Sequence, residues 1–468
     1  MNSPTIYDLL VVGGGPAGYA AAIYGAKNHL KVGLVEKDKL GGTCLNRGCI
    51  PTKTYCVSAE ILFKIKESNN FSVKIGSSAP FVDFPSLFGR KESIVNKQVE
   101  GIKQLIKGNK IDYFEGEAII ESDSNLKINI NNSSENINVK FKNLIISTGS
   151  EPADIKGIAI DHINILDSTD ILSLKRLPSS LLIIGGGVIG VEIAMIMSAF
   201  GVKVYLSEIL KRIIATEDIM ASRIIQNRLK MIGVDVNTDV KIDNIEILDG
   251  GVNLSLSNGK RFFVEKVLVA AGRRPVVKIS DTLKSLLLNE KGFVCVDEYL
   301  RTKINNVYAA GDVIGGIMLA HKAHYDGEIA VDNILGKNHK VDYSAVPAVV
   351  YTYPEIASVG ISEERAKEQG IEIKTGRFFV ASNGMAMAKN ATEGFVKIIA
   401  EKGSGRIIGG TVVSESASEM ITALTLAIKE KVVVESIRDL IWPHPTISES
   451  MGEAIRDVEG MAIHKLTI

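Results

Sequence analysis

The chain has 468 residues, room for about three domains, with 46% hydrophobic and 23% charged residues, the balance of an ordinary soluble enzyme. Lysine plus arginine equals aspartate plus glutamate at 54 each, so the basic footprint of a nucleic-acid or anionic-membrane binder is missing. Four cysteines in so long a chain exclude a secreted disulfide scaffold, and Cys56 and Cys295 lack neighbours at metal-ligand spacing, so no metal is expected. Residues 1–5 carry no basic segment, and glycines and Pro16 break the apolar run from Leu9, which speaks against a signal peptide. A cytoplasmic protein is expected, in which thiols stay reduced unless they do chemistry.

Residues 7–12 are a short apolar run that predicts a buried parallel strand. Gly13, Gly15 and Gly18 follow, then a small-residue helix over 17–26 and a second strand over 31–35 ending at Glu36. This is a complete strand–helix–strand dinucleotide unit. Gly13 makes the tight turn, Gly15 lets backbone approach a pyrophosphate, and Gly18 permits close packing of helix on strand. The helix N-terminus offers N–H groups to phosphate, and Glu36 is placed to accept from ribose hydroxyls.

The next stretch, residues 40–53, reads L-G-G-T-C-L-N-R-G-C-I-P-T-K. Cys44 and Cys49 are separated by four residues, with Gly41, Gly42 and Gly48 letting the backbone bend and approach a ligand. Pro51 and Thr52 open a helical pattern, so Cys49 should sit just ahead of a helix N-terminus, where a thiolate is favoured. Lys53, one turn on, adds positive charge. Together these features describe a dithiol/disulfide redox centre. A structural disulfide or two buried thiols are the plainer readings of a cysteine pair, and the nucleotide signatures weigh against them.

Residues 61–107 are patterned as amphipathic helices and 112–141 as hairpins. Residues 144–149 return as a strand ending in Thr148-Gly149, where backbone can meet a flavin or its phosphates. A second dinucleotide unit follows. Gly185, Gly187, Gly190 and Glu208 repeat Gly13, Gly15, Gly18 and Glu36 at one constant offset. The carboxylate at 208 would repel a 2′-phosphate, which points to NAD rather than NADP; Lys211 and Arg212 read as a solvated face or a helix start. Residues 180–201 are apolar enough to imitate a membrane span, but Glu192 and the glycines argue otherwise. Residues 262–272 repeat the strand ending at Gly272, and Arg273 to Pro275 mark an exit turn. Residues 306–312 form a strand ending in Gly-Asp, where Asp312 suits a ligand hydroxyl, although alone it reads as a turn-capping residue. Met318, Leu319, Ala320 and His321 open a helix running to about residue 335. From residue 347 an α+β pattern begins, with strands at 349–356 and 395–399 and helices at 363–369 and 418–429. Near its end, prolines flank His444, and Glu449 follows five residues later. A histidine oriented by a carboxylate serves as a general acid/base, though these residues alone read more simply as a loop histidine beside a surface glutamate.

The G-G-T-C-L-N-R-G-C-I-P-T-K stretch, the two dinucleotide units, the Gly-Asp strand and H-P-T-I-S-E together resemble the pyridine nucleotide–disulfide oxidoreductases over nearly the whole chain. Arg47 and Trp442-Pro443 stand where relatives vary. The resemblance implies an α/β fold with two Rossmann-like dinucleotide-binding domains, for FAD and NAD, and a C-terminal α+β dimerisation domain. It implies residues 1–149 for FAD, 150–275 for NAD, 276–345 as a segment completing the FAD domain, and 346–468 as the dimer interface. Cofactor contacts are then expected from Gly13, Gly15, Gly18, Glu36, Gly42, Thr43, Lys53, Thr148, Gly149, Asp312 and Ala320 for FAD, and from Gly185, Gly187, Gly190, Glu208 and Gly272 for NAD. The catalytic set is Cys44, Cys49, Lys53 paired with Glu192, and His444 with Glu449, the histidine reaching the cysteine pair of the other subunit of a homodimer. Glu208, the intact cysteine pair and a C-terminus without cysteine favour the branch that oxidises dihydrolipoamide with NAD⁺. Its substrate would arrive on a lipoyl-bearing protein of a multienzyme complex, since no lipoyl domain precedes Tyr7. An NAD(P)H-dependent reductase of another small disulfide, such as glutathione, is the alternative.

Overall fold

The computed structural model describes residues 5–76 and 80–466. Its first sheet is built around the strand Ile6–Val12, whose Leu9, Leu10, Val11 and Val12 are all buried, as suits a parallel strand covered on both faces. It pairs in parallel with Val32–Glu36 on one side and Asn136–Ile146 on the other. Asp112–Ile120 extends the sheet past the first of these, and Val307–Ala309 past the second. The chain therefore returns to its first sheet after completing the second nucleotide unit.

The hairpins expected over 112–141 are present, but their last arm and the strand expected at 144–149 are one strand, Asn136–Ile146. Its first half alternates in burial and pairs antiparallel with Asn125–Ile130; its second half runs parallel to Ile6–Val12 and ends in three consecutive buried residues, Leu144, Ile145 and Ile146. The change from a half-solvated to a fully covered environment alters the sequence pattern without breaking the strand.

The second unit is a parallel sheet ordered Asp235–Asn237, Lys203–Ser207, Ser180–Ile184, Lys266–Val269 and Ile165–Leu166. Helix Val188–Ala199 is buried on nearly every side, which is why its sequence imitates a membrane span. Among the described residues no helix is long and apolar enough to cross a membrane. The run 262–272 is divided: Arg261–Val264 joins an antiparallel patch with Ile242–Leu248 and Gly251–Leu256, whereas Lys266–Val269 joins the parallel sheet. Arg273–Pro275, expected as a turn, is a short strand antiparallel to Ser150–Pro152.

The C-terminal module is an antiparallel sheet backed by helices Ala417–Lys429 and Glu449–Asp457. The single strand expected at 349–356 is two, Ala348–Val350 and Glu355–Gly360, folded on each other. Pro354, which cannot donate to a ladder, sits in the reversal between them. Strands Ile373–Phe379 and Ile407–Ser414 have no clear signature in the sequence, because Gly376, Gly409 and Gly410 interrupt their apolar pattern. A Cβ at Gly376 would lie 2.1 Å from the Ala454 carbonyl oxygen, so the glycine admits the last helix against the sheet.

Helix Cys49–Lys66 joins the parts. Tyr55, fully buried on it, meets Phe84 and Phe200, and the same core takes Val350, Ile356 and Phe395 from the C-terminal module. Burying an aromatic ring of this kind contributes about 2–3 kcal/mol, so the helix that begins with Cys49 is held by all three units.

Candidate active site

Gly41 and Gly42 both have positive φ, and a Cβ at Gly42 would meet the Gly15 Cα at 2.7 Å. This close approach lays the cysteine segment against the first glycine loop. A short helix, Gly42–Arg47, carries Thr43 and Cys44; the chain breaks at Gly48 and re-enters a helix at Cys49. The helix starts two residues earlier than Pro51 suggested, so Cys49 is its first residue, where unpaired N–H groups concentrate positive potential. Cys44 and Cys49 form a disulfide with Cα atoms 4.7 Å apart. Both are half-exposed, and both line one cavity of about 2210 Å³ that also includes both glycine loops. A disulfide opening into a large cavity differs from a buried structural staple.

The two loops are built alike. Gly13 has φ 100°, and a Cβ at Gly18 would sit 1.7 Å from the Gly13 oxygen; at Gly190 it would sit 1.9 Å from the Gly185 oxygen. Glu36 accepts from the Gly14 and Asp38 amides at 2.6 and 2.8 Å, and Glu208 from those of Gly186 and Leu210 at 2.6 and 2.7 Å. Both acids thus brace their own loops in addition to facing the cavity. Burial raises the pKa of Glu36, and the Gly14 N–H opposes that shift. Arg212 starts no helix: it donates to the carbonyls of Ala215 and Glu217, while Lys211 is exposed.

The cavity fits two dinucleotides. A Cβ at Gly149, Gly187 or Gly272 would meet nothing within 4 Å, leaving room for a close ligand. The Thr148 hydroxyl oxygen is buried without a partner on the same wall. Asp312 accepts from the Ser150 hydroxyl at 2.6 Å, and Arg273 donates to Ser150 Oγ and to its carbonyl oxygen, both at 2.7 Å. Ser150 and Arg273 were missed in the sequence because their meeting depends on the pairing of two three-residue strands. Ala320 begins helix Ala320–Ile334, whose first turn lines the cavity. On the wall of the same cavity, His162, Asp167 and Asp170 bring possible metal-ligand atoms within 4.8 Å, but the two carboxylates already accept from backbone amides that start helix Ser168–Ser173.

Lys53 Nζ lies 2.9 and 3.1 Å from the two carboxylate oxygens of Glu192, which is only 3% exposed. The Tyr351 amide donates to the same carboxylate at 2.9 Å. His444 Nδ1 and Glu449 Oε2 are 3.0 Å apart, with Glu449 at the start of helix Glu449–Asp457. The His444 side chain is 79% exposed, and neither residue lines the cavity of the disulfide. Within one chain the fold therefore brings Cys44, Cys49, Lys53 and Glu192 together, and His444 with Glu449, but keeps the two groups apart.

Two nucleotide loops and an accessible disulfide on one cavity define an oxidoreductase that passes electrons between a dithiol and a dinucleotide. Residues 7–327 match the family model described as pyridine nucleotide-disulphide oxidoreductase, and residues 346–455 match the dimerisation domain of that family. The chain belongs to the pyridine nucleotide-disulphide oxidoreductase family, and its cofactors are FAD and NAD. It is 38% identical over 464 residues to dihydrolipoyl dehydrogenase of Geobacillus stearothermophilus, covering 98% of each chain. It is 37% identical over 467 residues to dihydrolipoyl dehydrogenase of Staphylococcus aureus, covering 99% of each. Among solved structures, the HOCl-induced flavoprotein disulfide reductase RclA of Escherichia coli aligns with TM-score 0.84 and 29% identity, over 96% of this chain and 99% of that one. LpdA of Mycobacterium tuberculosis aligns with TM-score 0.88 over the same shares at 24% identity, a likeness of fold alone.

Proposed function

We propose that this chain oxidises dihydrolipoamide, carried on the lipoyl arm of a multienzyme complex, to lipoamide, with NAD⁺ as the final acceptor. The observation that carries the reading is the Cys44–Cys49 disulfide at a helix N-terminus, on the wall of the cavity shared by both glycine loops. In this reading residues 1–149 and 276–345 hold FAD, residues 150–275 hold NAD and residues 346–468 form the interface of a cytoplasmic homodimer. The first loop, with Glu36, Thr43, Thr148, Asp312 and Ala320, holds FAD; the second, with Glu208 and Gly272, holds NAD. Bound FAD supplies a two-electron relay between the dithiol and NAD⁺.

The residues of the chain act in sequence. Glu449 engages His444 Nδ1, which leaves Nε2 free to take a proton from a substrate thiol. Because His444 stands outside the cavity of its own chain, His444 of the partner subunit serves each disulfide. The substrate thiolate attacks Cys44 Sγ, the Cys44–Cys49 bond breaks, and Cys49 leaves as a thiolate favoured by its helix N-terminus. The second substrate thiol then attacks its own sulfur bound to Cys44, releasing oxidised lipoamide and leaving Cys44 and Cys49 reduced. Lys53, held by Glu192 one turn beyond Cys49 on the wall of the same cavity, would place a positive charge near the bound flavin and favour its reduced form.

Anaerobic titration with dihydrolipoamide tests this directly. A long-wavelength thiolate-to-flavin absorption band is expected, which NAD⁺ then discharges. Cys44→Ser and Cys49→Ser should each abolish lipoamide turnover while the protein stays yellow. Turnover surviving either change, or a preference for NADPH and glutathione over NADH and lipoamide, would refute the assignment.

A further inference from the structure

Tyr351 lies in the reversal between strands Ala348–Val350 and Glu355–Gly360, far in sequence from the cysteines and both glycine loops. It nevertheless touches both partners of the Lys53–Glu192 pair. Its amide donates to Glu192 Oε1 at 2.9 Å, and its ring centroid lies 4.3 Å from Lys53 Nζ. Its carbonyl oxygen lies 3.5 Å from the Cys56 sulfur, one turn beyond Lys53 on the same helix. Tyr351, Lys53, Glu192 and Cys49 all line the one large cavity.

The geometry divides the work between the backbone and the ring. Glu192 is buried, and a buried carboxylate needs its lone pairs occupied. The Tyr351 amide and Lys53 occupy them from two sides, which fixes the carboxylate. The Lys53 side chain remains 31% exposed, so the carboxylate alone does not confine a flexible ammonium. The aromatic face supplies the second wall. A cation within about 6 Å of a ring centroid gains about 0.5–2 kcal/mol, more as water is removed. Burial pushes the Tyr351 phenol above its ordinary pKa, so the ring meets the ammonium as a neutral quadrupole and not as an anion.

We infer that Tyr351 is a positioning residue: its ring holds the Lys53 ammonium on the cavity wall one turn from Cys49 and so would set the electron affinity of the bound flavin. This rests on the reading of Lys53 given under Proposed function. The C-terminal module thus acts on the redox centre of its own chain as well as presenting His444.

The test uses the FAD-loaded dimer and the midpoint potential of its flavin, read against a redox dye, with no dihydrolipoamide present. Replacing Tyr351 by phenylalanine keeps the ring and should leave the potential and the thiolate-to-flavin band unchanged. Tyr351→Leu keeps the amide to Glu192 but removes the ring, and should disfavour flavin reduction about tenfold, about 30 mV for a two-electron couple. Fluorinated phenylalanines at 351 preserve shape while weakening the ring quadrupole, so they should move the potential stepwise in the same direction even if Tyr351→Leu misfolds. A potential that does not change across the fluorinated series, or a shift as large in Tyr351→Phe as in Tyr351→Leu, overturns the inference. Lipoamide turnover is scored separately, so the proposed reaction can fail while the ring effect survives, and the reverse.

Discussion

In the proposed reaction, single atoms decide the chemistry at Cys49 and His444. Cys49 is the first residue of its helix, and His444 has one ring nitrogen engaged by Glu449 and the other free. His444→Gln should therefore lower dihydrolipoamide turnover by about 10²–10⁴-fold, the usual range for a lost general base, with little change in melting temperature because the side chain takes no part in the core of its own chain. Steady-state rates and a thermal melt check this; a large fall in the melting temperature would mean that the residue is structural. Beyond the ribose contact proposed for it, Glu208 accepts from two amides of its own loop. Glu208→Ala removes the partner of two amides in the second loop, so it should cost about 1–3 kcal/mol of stability as well as NAD affinity. Calorimetric NAD binding beside a melt of the unliganded protein separates the two effects.

Between elements, the governing distance is that of helix to turn. A methyl group at Gly18 would penetrate the Gly13 carbonyl, and one at Gly190 would penetrate that of Gly185. Overpacking of this kind costs about 1–3 kcal/mol and pushes the helix off its loop. Gly18→Ala should release flavin, whereas Gly190→Ala should keep the yellow colour and lose NAD binding. Flavin absorbance after gel filtration and NADH binding read the two outcomes. The packing of helix Ala320–Ile334 on the first unit carries a pH signature. His324 Nε2 lies 2.6 Å from the Tyr19 hydroxyl, and burial holds the imidazole pKa below its ordinary value, with His321 lowering it further and Glu328 opposing. Such a histidine binds a proton more readily in the unfolded chain, so its contribution to stability is lost as pH falls below about 6.5. His324→Gln should flatten the acid limb of melting temperature against pH and leave the neutral limb alone; a steeper acid limb would contradict the assignment.

At the scale of the molecule, one chain separates the disulfide from the His444–Glu449 pair. If two copies complete each site, inactive variants should rescue each other. Mixing His444→Gln with Cys44→Ser under conditions of subunit exchange produces hybrid dimers with one intact site, so activity should rise from near zero to about one quarter of wild type. No recovery after exchange has been verified by mass spectrometry would mean that each chain works alone. Stability is shared across the same units. Buried Lys397 of the C-terminal sheet meets Asp218 at 2.5 Å and also Glu363, and Asp218 caps helix Ile219–Met231 of the second unit. The last module is therefore tied to the second unit as well as to the cysteine helix.

Features set by short windows of sequence are legible in the order of residues alone. The glycine loops, the acids that follow them, the cysteine pair and the His444–Glu449 spacing each depend on backbone freedom or side-chain chemistry within a few residues. The family-level fold follows from the order in which those windows occur. What the tertiary structure alone decided depends on long-range closure. The return of Val307–Ala309 to the first sheet, the meeting of Ser150, Arg273 and Asp312, and the ring of Tyr351 over Lys53 join segments whose local sequence carries no mark of one another. The same holds for strand ends: Asn136–Ile146 passes from an exposed hairpin to a covered sheet, and its pattern changes because its neighbours change. Local conformational preference is written in composition, whereas partners across the fold are chosen by topology and packing.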